Sequence, residues 1–183
     1  MSDQFKFAIV GSGYWGINYV RLISQLNTTK LVAVCDKSEE RLEDVKMLFP
    51  GPRLFTDVDD LLSSEVNIDA AIISTSPSSH FQIASKFLDF GKPVLVEKPI
   101  TDKSETAKEL VDLAKSKNLT LMVGHIFLYN PAVEKLKTYI NDDDLGKIYY
   151  LYARRTNLGP IRKNVNALWD LAPHDISMFN YFL

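Results

Sequence analysis

Short apolar runs alternate with amphipathic stretches along the first two-thirds of the chain, and this predicts strands and helices in turn. FKFAIV (5–10) reads as a strand. A helix follows over about residues 14–26, where Ile17, Val20, Leu22 and Ile23 recur at helical spacing. KLVAVCD (30–36) predicts a second strand, and SEERLEDVKMLF (38–49) a polar-faced helix that Pro50 and Gly51 stop. DVDDLLSS (57–64) predicts a short helix. IDAAIIST (68–75) is apolar with no polar alternation, as in strands buried on both faces of a parallel sheet. A helix over 77–90 closes at Gly91, the usual glycine place after a helix. PVLVEK (93–98) is a strand. Asp102 with Glu105 predicts a capping box opening a helix over 103–118, and TLMVG (120–124) a further strand.

Strand–helix alternation of this kind implies right-handed crossovers and a doubly wound parallel sheet, an α/β fold. The pattern changes near Gly124. Asn130-Pro131 starts a helix as cap and first-turn proline, NDDDLG (141–146) is an acidic turn, and KIYYLYARRTN (147–157) alternates as a long strand with one exposed face. Two domains are therefore expected, over 1–124 and 125–183. Pro173 predicts that a last helix starts there, with Asp170 and His174 at or just before its N-terminus.

Composition narrows the class. Hydrophobic residues make up 46% and charged residues 24% of 183, as in a soluble globular protein. A formal net charge of −2 gives no support to a nucleic-acid partner. No apolar run approaches the roughly 18 residues of a membrane span. The N-terminus runs straight into strand and glycine signals without a secretory segment, so a cytoplasmic setting is expected. The single cysteine, Cys35, sits in an apolar strand and reads as a buried thiol. The three histidines, His80, His125 and His174, lack metal-ligand spacing, so no metal is expected.

The candidate chemistry starts at AIVGSGYWG. Gly11, Gly13 and Gly16 form G-x-G-x-x-G between a strand and a helix, with Tyr14 and Trp15 inside the turn. Such glycines give a tight turn, close backbone approach to a pyrophosphate and close helix–strand packing. Asp36 ends the second strand twenty residues after Gly16, where an acid accepts from ribose hydroxyls and repels a 2′-phosphate. NAD is the expected cofactor, a preference that Lys37 and Arg41 nearby soften. Ser74, Thr75 and Pro77 lie at the carboxyl end of a strand, along the expected cofactor path. His80 reads either as a helix-surface histidine or as a cofactor neighbour. Glu97 and Lys98 end the next strand, and a lysine after a buried run reaches a cleft or a partner.

The three glycines, Asp36, EKP (97–99), VGHIFLYNPAV (123–133) and WDLAPHDIS (169–177) together resemble the glucose–fructose oxidoreductase, inositol dehydrogenase and MocA family. The resemblance covers essentially the whole chain. It implies a Rossmann domain, then a second α+β domain with a large, mostly antiparallel sheet, and a catalytic set that falls on Lys98, Asp170 and His174. From the residue types, neutral His174 is the base for a sugar hydroxyl, Lys98 steadies the alkoxide, and Asp170 holds His174 or a neighbouring hydroxyl. The segment 154–175 resembles the branch acting on nucleotide-linked sugars, such as UDP-N-acetylglucosamine or its uronate at C3. Arg154, Arg155, Arg162 and Lys163 are candidates to meet a diphosphate or carboxylate, and Arg155, Asn157 and Asp175 are the candidate substrate contacts. Asp175 is otherwise explained by proximity to a helix N-terminus. Leu128 stands where family members often carry arginine. The competing readings are an NADP(H)-dependent keto-sugar reductase and an inactive cofactor-sensing relative. Family members are commonly longer than this chain, so a truncated second domain and a homo-oligomer are expected.

Overall fold

The computed structural model describes residues 4–156 and 166–183, and the chain divides into two compact units, Met1–Val123 and Gly124–Leu183. The first unit is built on six strands: β1 (Phe5–Val10), β2 (Thr29–Cys35), β3 (Arg53–Phe55), β4 (Ala70–Ile73), β5 (Val94–Val96) and β6 (Leu121–Val123). All pairings are parallel, in the order β3-β2-β1-β4-β5-β6. Its helices are α1 (Gly16–Gln25), α2 (Glu39–Leu48), α3 (Val58–Ser63), α4 (Pro77–Asp89) and α5 (Ser104–Ser116).

The missing polar alternation in β1 and β4 has a direct cause: both sheet faces are covered. Ala8, Val10, Ala33, Cys35, Ala71, Ile73, Val94 and Val96 point to one face, into a core shared with Leu61, Phe87, Leu88 and Leu110. Ile9, Val34 and Ile72 point to the other, against Val20 and Ile23 of α1 and Leu42 and Val45 of α2. Each fully buried side chain of this size contributes about 1.5–3 kcal/mol of transfer free energy. Cys35 is buried as expected, and burial pushes its thiol up to about 12. The chain enters at β1, winds outward to β3, then returns to β4 beside β1. That reversal puts the switch point of the sheet at the carboxyl ends of β1 and β4, the place where open α/β sheets bind ligands.

Several boundaries differ from the sequence reading. The edge strand β3 was not foreseen; three residues show no period. The capping box at Asp102 does not form: Lys103 is the N-cap residue of α5, without a side-chain bond, and the Thr101 hydroxyl donates to the Lys103 carbonyl at 2.6 Å. In the second unit a 3-10 helix (Ile126–Tyr129) precedes α6 (Pro131–Asn141), which Asn130 caps by accepting from the Ala132 amide at 2.9 Å. Residues 147–156 form no strand. Their alternation is suited to a sheet, but extended backbone becomes a strand only against a ladder partner, and all six paired strands among the described residues lie in the first unit. The last helix, α7 (Ala167–Phe182), starts six residues before Pro173. The Asn166 side chain accepts from the Trp169 amide at 2.9 Å and so sets an earlier start. Pro173 is carried inside the helix, where it lacks one backbone donor. No helix among the described residues is long and apolar enough to cross a membrane.

Candidate active site

The turn after β1 is held by close contacts. The Gly11 amide donates to the Cys35 carbonyl at 2.8 Å, and its φ of +91° lies in the left-handed region. A Cβ there would stand 2.6 Å from the Ser74 carbonyl oxygen, and a Cβ on Gly16 would collide with the Gly11 carbonyl. The β1 end, the β4 end and α1 therefore meet too closely for any side chain. At Gly13 the nearest atom to an added Cβ is the movable Arg41 Nη1, at 3.3 Å. Helix α1 starts without a side-chain cap and without an acid in its first turn. The Ile17 and Asn18 amides donate to the Gly13 and Trp15 carbonyls, and the positive dipole end of the helix is left without a compensating acid of its own, which suits an anion. The turn fits a dinucleotide pyrophosphate by this bare, glycine-walled cradle.

Asp36 follows β2 and is 8% exposed. Its Oδ2 accepts from the Ser12 amide at 2.8 Å and the Ser12 hydroxyl at 3.2 Å, and its Oδ1 accepts from the Ser38 amide at 2.9 Å. A carboxylate offers about four acceptor sites, so these three donors orient it and leave capacity for a ribose hydroxyl. Arg41 Nη1 stands 3.6 Å from Oδ2. The anchoring role of Ser12 and Ser38 was missed in the sequence; a serine beside a glycine or opening a helix is too common to stand out.

The ends of β4 and β5 complete this edge. The Ser74 amide donates to the Val10 carbonyl at 2.8 Å, and Pro77 opens α4. The Ser79 hydroxyl donates to Thr75 Oγ1 at 2.8 Å. His80 is 1% exposed, so it is not a surface histidine. Its Nδ1 lies 2.9 Å from the Pro99 carbonyl and its Nε2 3.1 Å from the Thr75 carbonyl, so it bridges the loops after β5 and β4. Burial holds its pKa below the ordinary histidine range, the two carbonyl bonds opposing. Glu97 Oε1 accepts from Trp15 Nε1 at 2.9 Å and from the Tyr19 hydroxyl at 2.5 Å, and its Oε2 accepts from the Lys98 amide at 3.1 Å. Burial pushes the Tyr19 phenol up, with the Glu97 bond adding to it, so Tyr19 stays a donor. Tyr14 is 80% exposed on the turn. Lys98 is half-buried and joins Pro99 through a cis peptide bond.

The remaining candidates belong to the second unit. Asp170 lies in the first turn of α7 and His174 one turn further, on the same side of the helix. His174 is 7% exposed, and its ring stands edge-on to Phe127 with centroids 4.7 Å apart. Asp175 is not at a helix N-terminus. It pairs with Arg155, whose Nε and Nη2 donate to Oδ2 and Oδ1, each at 2.8 Å. The Arg155 guanidinium also lies over the Phe127 ring at 4.8 Å. Nothing in the local sequence linked Arg155 to Asp175, twenty positions away. Asn157, Arg162 and Lys163 lie outside the described residues. Among the described residues no group of three or more His, Cys, Asp or Glu is placed to hold a metal ion.

The sheet order and the glycine cradle define a Rossmann domain of the dinucleotide-binding kind. The chain belongs to the Gfo/Idh/MocA family, described as an oxidoreductase family with an NAD-binding Rossmann fold, whose model matches residues 5–125. It is similar to the UDP-N-acetylglucosamine 3-dehydrogenase of Acidithiobacillus ferrooxidans, with 30% identity over 178 residues, 96% of this chain and 53% of that protein. It is also similar to the scyllo-inositol 2-dehydrogenase (NAD(+)) of Bacillus subtilis, with 29% identity over 189 residues, 100% of this chain and 55% of that protein. The crystal structure of scyllo-inositol dehydrogenase from Lactobacillus casei with bound NAD(H) and scyllo-inositol superposes with a TM-score of 0.84 at 22% identity. The match covers 98% of this chain and 56% of that one, a likeness of fold. The chain spans about half the length of the curated relatives it matches.

Proposed function

We propose that the whole protein transfers a hydride between a sugar hydroxyl and NAD, the sugar being nucleotide-linked and reacting at C3. The observation that carries this reading is the single sheet edge shared by the Asp36-anchored glycine turn and Lys98. Bound NAD supplies the hydride acceptor. The glycine turn and the α1 N-terminus would hold its pyrophosphate, and Asp36 its adenosine ribose. His174, as neutral imidazole, removes the hydroxyl proton. The Lys98 ammonium steadies the alkoxide, and Asp170 holds His174 or a neighbouring hydroxyl. The nucleotide-linked substrate is supported by the likeness to the Acidithiobacillus enzyme and by Arg154, which is exposed, whereas Arg155 is occupied by Asp175. A second reading, an NADP(H)-dependent keto-sugar reductase, has one observation in its favour: Arg41 lies beside Asp36, where a guanidinium accommodates a 2′-phosphate. The exposed Tyr149, Tyr150 and Tyr152 support a homo-oligomer, and the single buried thiol a reducing cytoplasm.

NADH absorbance with UDP-sugars and free polyols tests the proposal. Activity is expected with a UDP-N-acetylhexosamine or its uronate. Lys98→Ala and His174→Ala should each lower turnover about a hundredfold or more, about 2.7 kcal/mol of barrier. Near-normal turnover in either variant would remove that residue from the mechanism. Preference for free polyols would remove the nucleotide.

A further inference from the structure

Glu97 is 8% exposed, and three neutral groups converge on its carboxylate. Two of them, the Trp15 indole and the Tyr19 hydroxyl, come from the glycine turn and α1, some eighty positions earlier in the chain. The third is the backbone amide of Lys98. The two oxygens divide the work: Oε1 takes both donors from the α1 side, and Oε2 takes Lys98. Indole N–H only donates, and the raised phenol of Tyr19 keeps its proton, so neither arm reverses direction. The Glu97 amide is itself tied to the Ile73 carbonyl at 2.9 Å, which fixes the backbone from which the carboxylate projects. Trp15 stands immediately before Gly16, at the helix start that faces the dinucleotide in the proposed function.

We infer that Trp15, Tyr19 and Glu97 form a clasp through which a dinucleotide on the glycine turn fixes the backbone of Lys98. Trp15 and Tyr19 are then positioning residues that act through Glu97. A ligand that orders the turn orders the indole. The indole and phenol hold one oxygen of Glu97, and the other oxygen holds the amide that carries the Lys98 side chain. The lysine is thus set in place by cofactor before substrate arrives. This inference rests on the proposed function, in that it takes NAD as the ligand of the turn.

Amide hydrogen exchange at Lys98, read by NMR on the 183-residue chain with and without saturating NAD, tests it. In the unaltered chain bound NAD is expected to slow exchange at Lys98 about tenfold, by shifting the local opening equilibrium. Tyr19→Phe deletes one donor, keeps the ring and should reduce that gain. Trp15→Phe combined with Tyr19→Phe should abolish it even at saturating NAD. Glu97→Gln cuts the other arm. Its carbonyl oxygen can replace Oε1 toward Trp15 and Tyr19, but its NH2 group then faces the Lys98 amide, donor against donor, and the gain should again be lost. If the clasp only stiffens the fold, these variants lower protection with and without NAD alike and leave the NAD-dependent difference intact, and that result overturns the inference. If the paired variant does not fold, Tyr19→Phe and Glu97→Gln decide the question by the same comparison. No NAD binding by the unaltered chain would overturn the functional reading and the clasp together. NAD binding without change at Lys98 would overturn the clasp alone.

Discussion

Asp36, Glu97 and Asp175 are withdrawn from water to different degrees, and the two units hold them differently. In the first unit, Asp36 and Glu97 are oriented mainly by neutral N–H and O–H donors, with Arg41 only at 3.6 Å from Asp36. In the second unit, Asp175 is gripped by both arms of the Arg155 guanidinium. Neutral donors fix a carboxylate without cancelling its charge, which suits a group that must still choose between cofactors or steer a loop. A bidentate guanidinium cancels the charge and spends it on holding two segments together. The contrast separates the acids to which the proposed function gives a role from one that braces a fold.

The largest test concerns the turn that Asp36 anchors. Gly16→Ala forces a Cβ into the Gly11 carbonyl and should destabilise the first unit by about 3 kcal/mol, with NAD binding lost. Gly13→Ala meets only a movable guanidinium and should change stability by about 0.5 kcal/mol or less. Denaturant unfolding of both variants checks this, and equal losses would show that the turn is looser than its contacts imply.

The next test removes the brace. Arg155→Met keeps an unbranched apolar side chain but deletes the fork, leaving Asp175 partly withdrawn from water without its Arg155 partner. A loss of about 2 kcal/mol in the stability of the second unit is expected. Hydrogen exchange along α7 reports it, and unchanged protection would reduce the pair to a surface contact.

The smallest effect concerns selectivity. NAD should bind at least about tenfold better than NADP, about 1.4 kcal/mol, and Asp36→Ala should narrow that gap. Calorimetric titration with both cofactors measures it. Equal affinities in the unaltered chain would mean that Arg41, not Asp36, governs the ribose, and the contrast between the units would fail at its main example.

The strand–helix order of the first unit was legible because both sheet faces are buried. Continuous apolar runs such as AAII at 70–73 leave little ambiguity when glycines and prolines bound them. The placement of the glycine turn, Asp36 and Lys98 just after strands was legible for a related reason: charged or special residues stand at the ends of apolar runs. What escaped was cooperation across distance. Tyr19 looks like one more apolar position of α1, and only the fold reveals its hydroxyl on Glu97, 78 residues away. Asp175 was read from its neighbours in sequence, yet its partner comes from another segment. The start of α7 was misjudged because Pro173 is a strong local signal, while the Asn166 side chain caps the helix earlier. The strand expected over 147–157 rested on alternation, which encodes which side is wet but not whether a neighbour exists to pair with.

Asp36 has a practical consequence for anyone redesigning cofactor preference. The obvious exchange, a small neutral residue at 36, removes the carboxylate to which the proposed function gives the repulsion of a phosphate. It also releases Ser12 from the end of β2 and removes the acceptor of the amide of Ser38, the N-cap residue of α2. In the proposed function recognition and scaffolding are one part here, so a selectivity switch cannot be a single edit. Asparagine keeps an acceptor for only one of the two serine amides and turns a donor toward the other. A successful redesign must replace at least one backbone anchor elsewhere in the turn while recruiting Arg41 to the new phosphate.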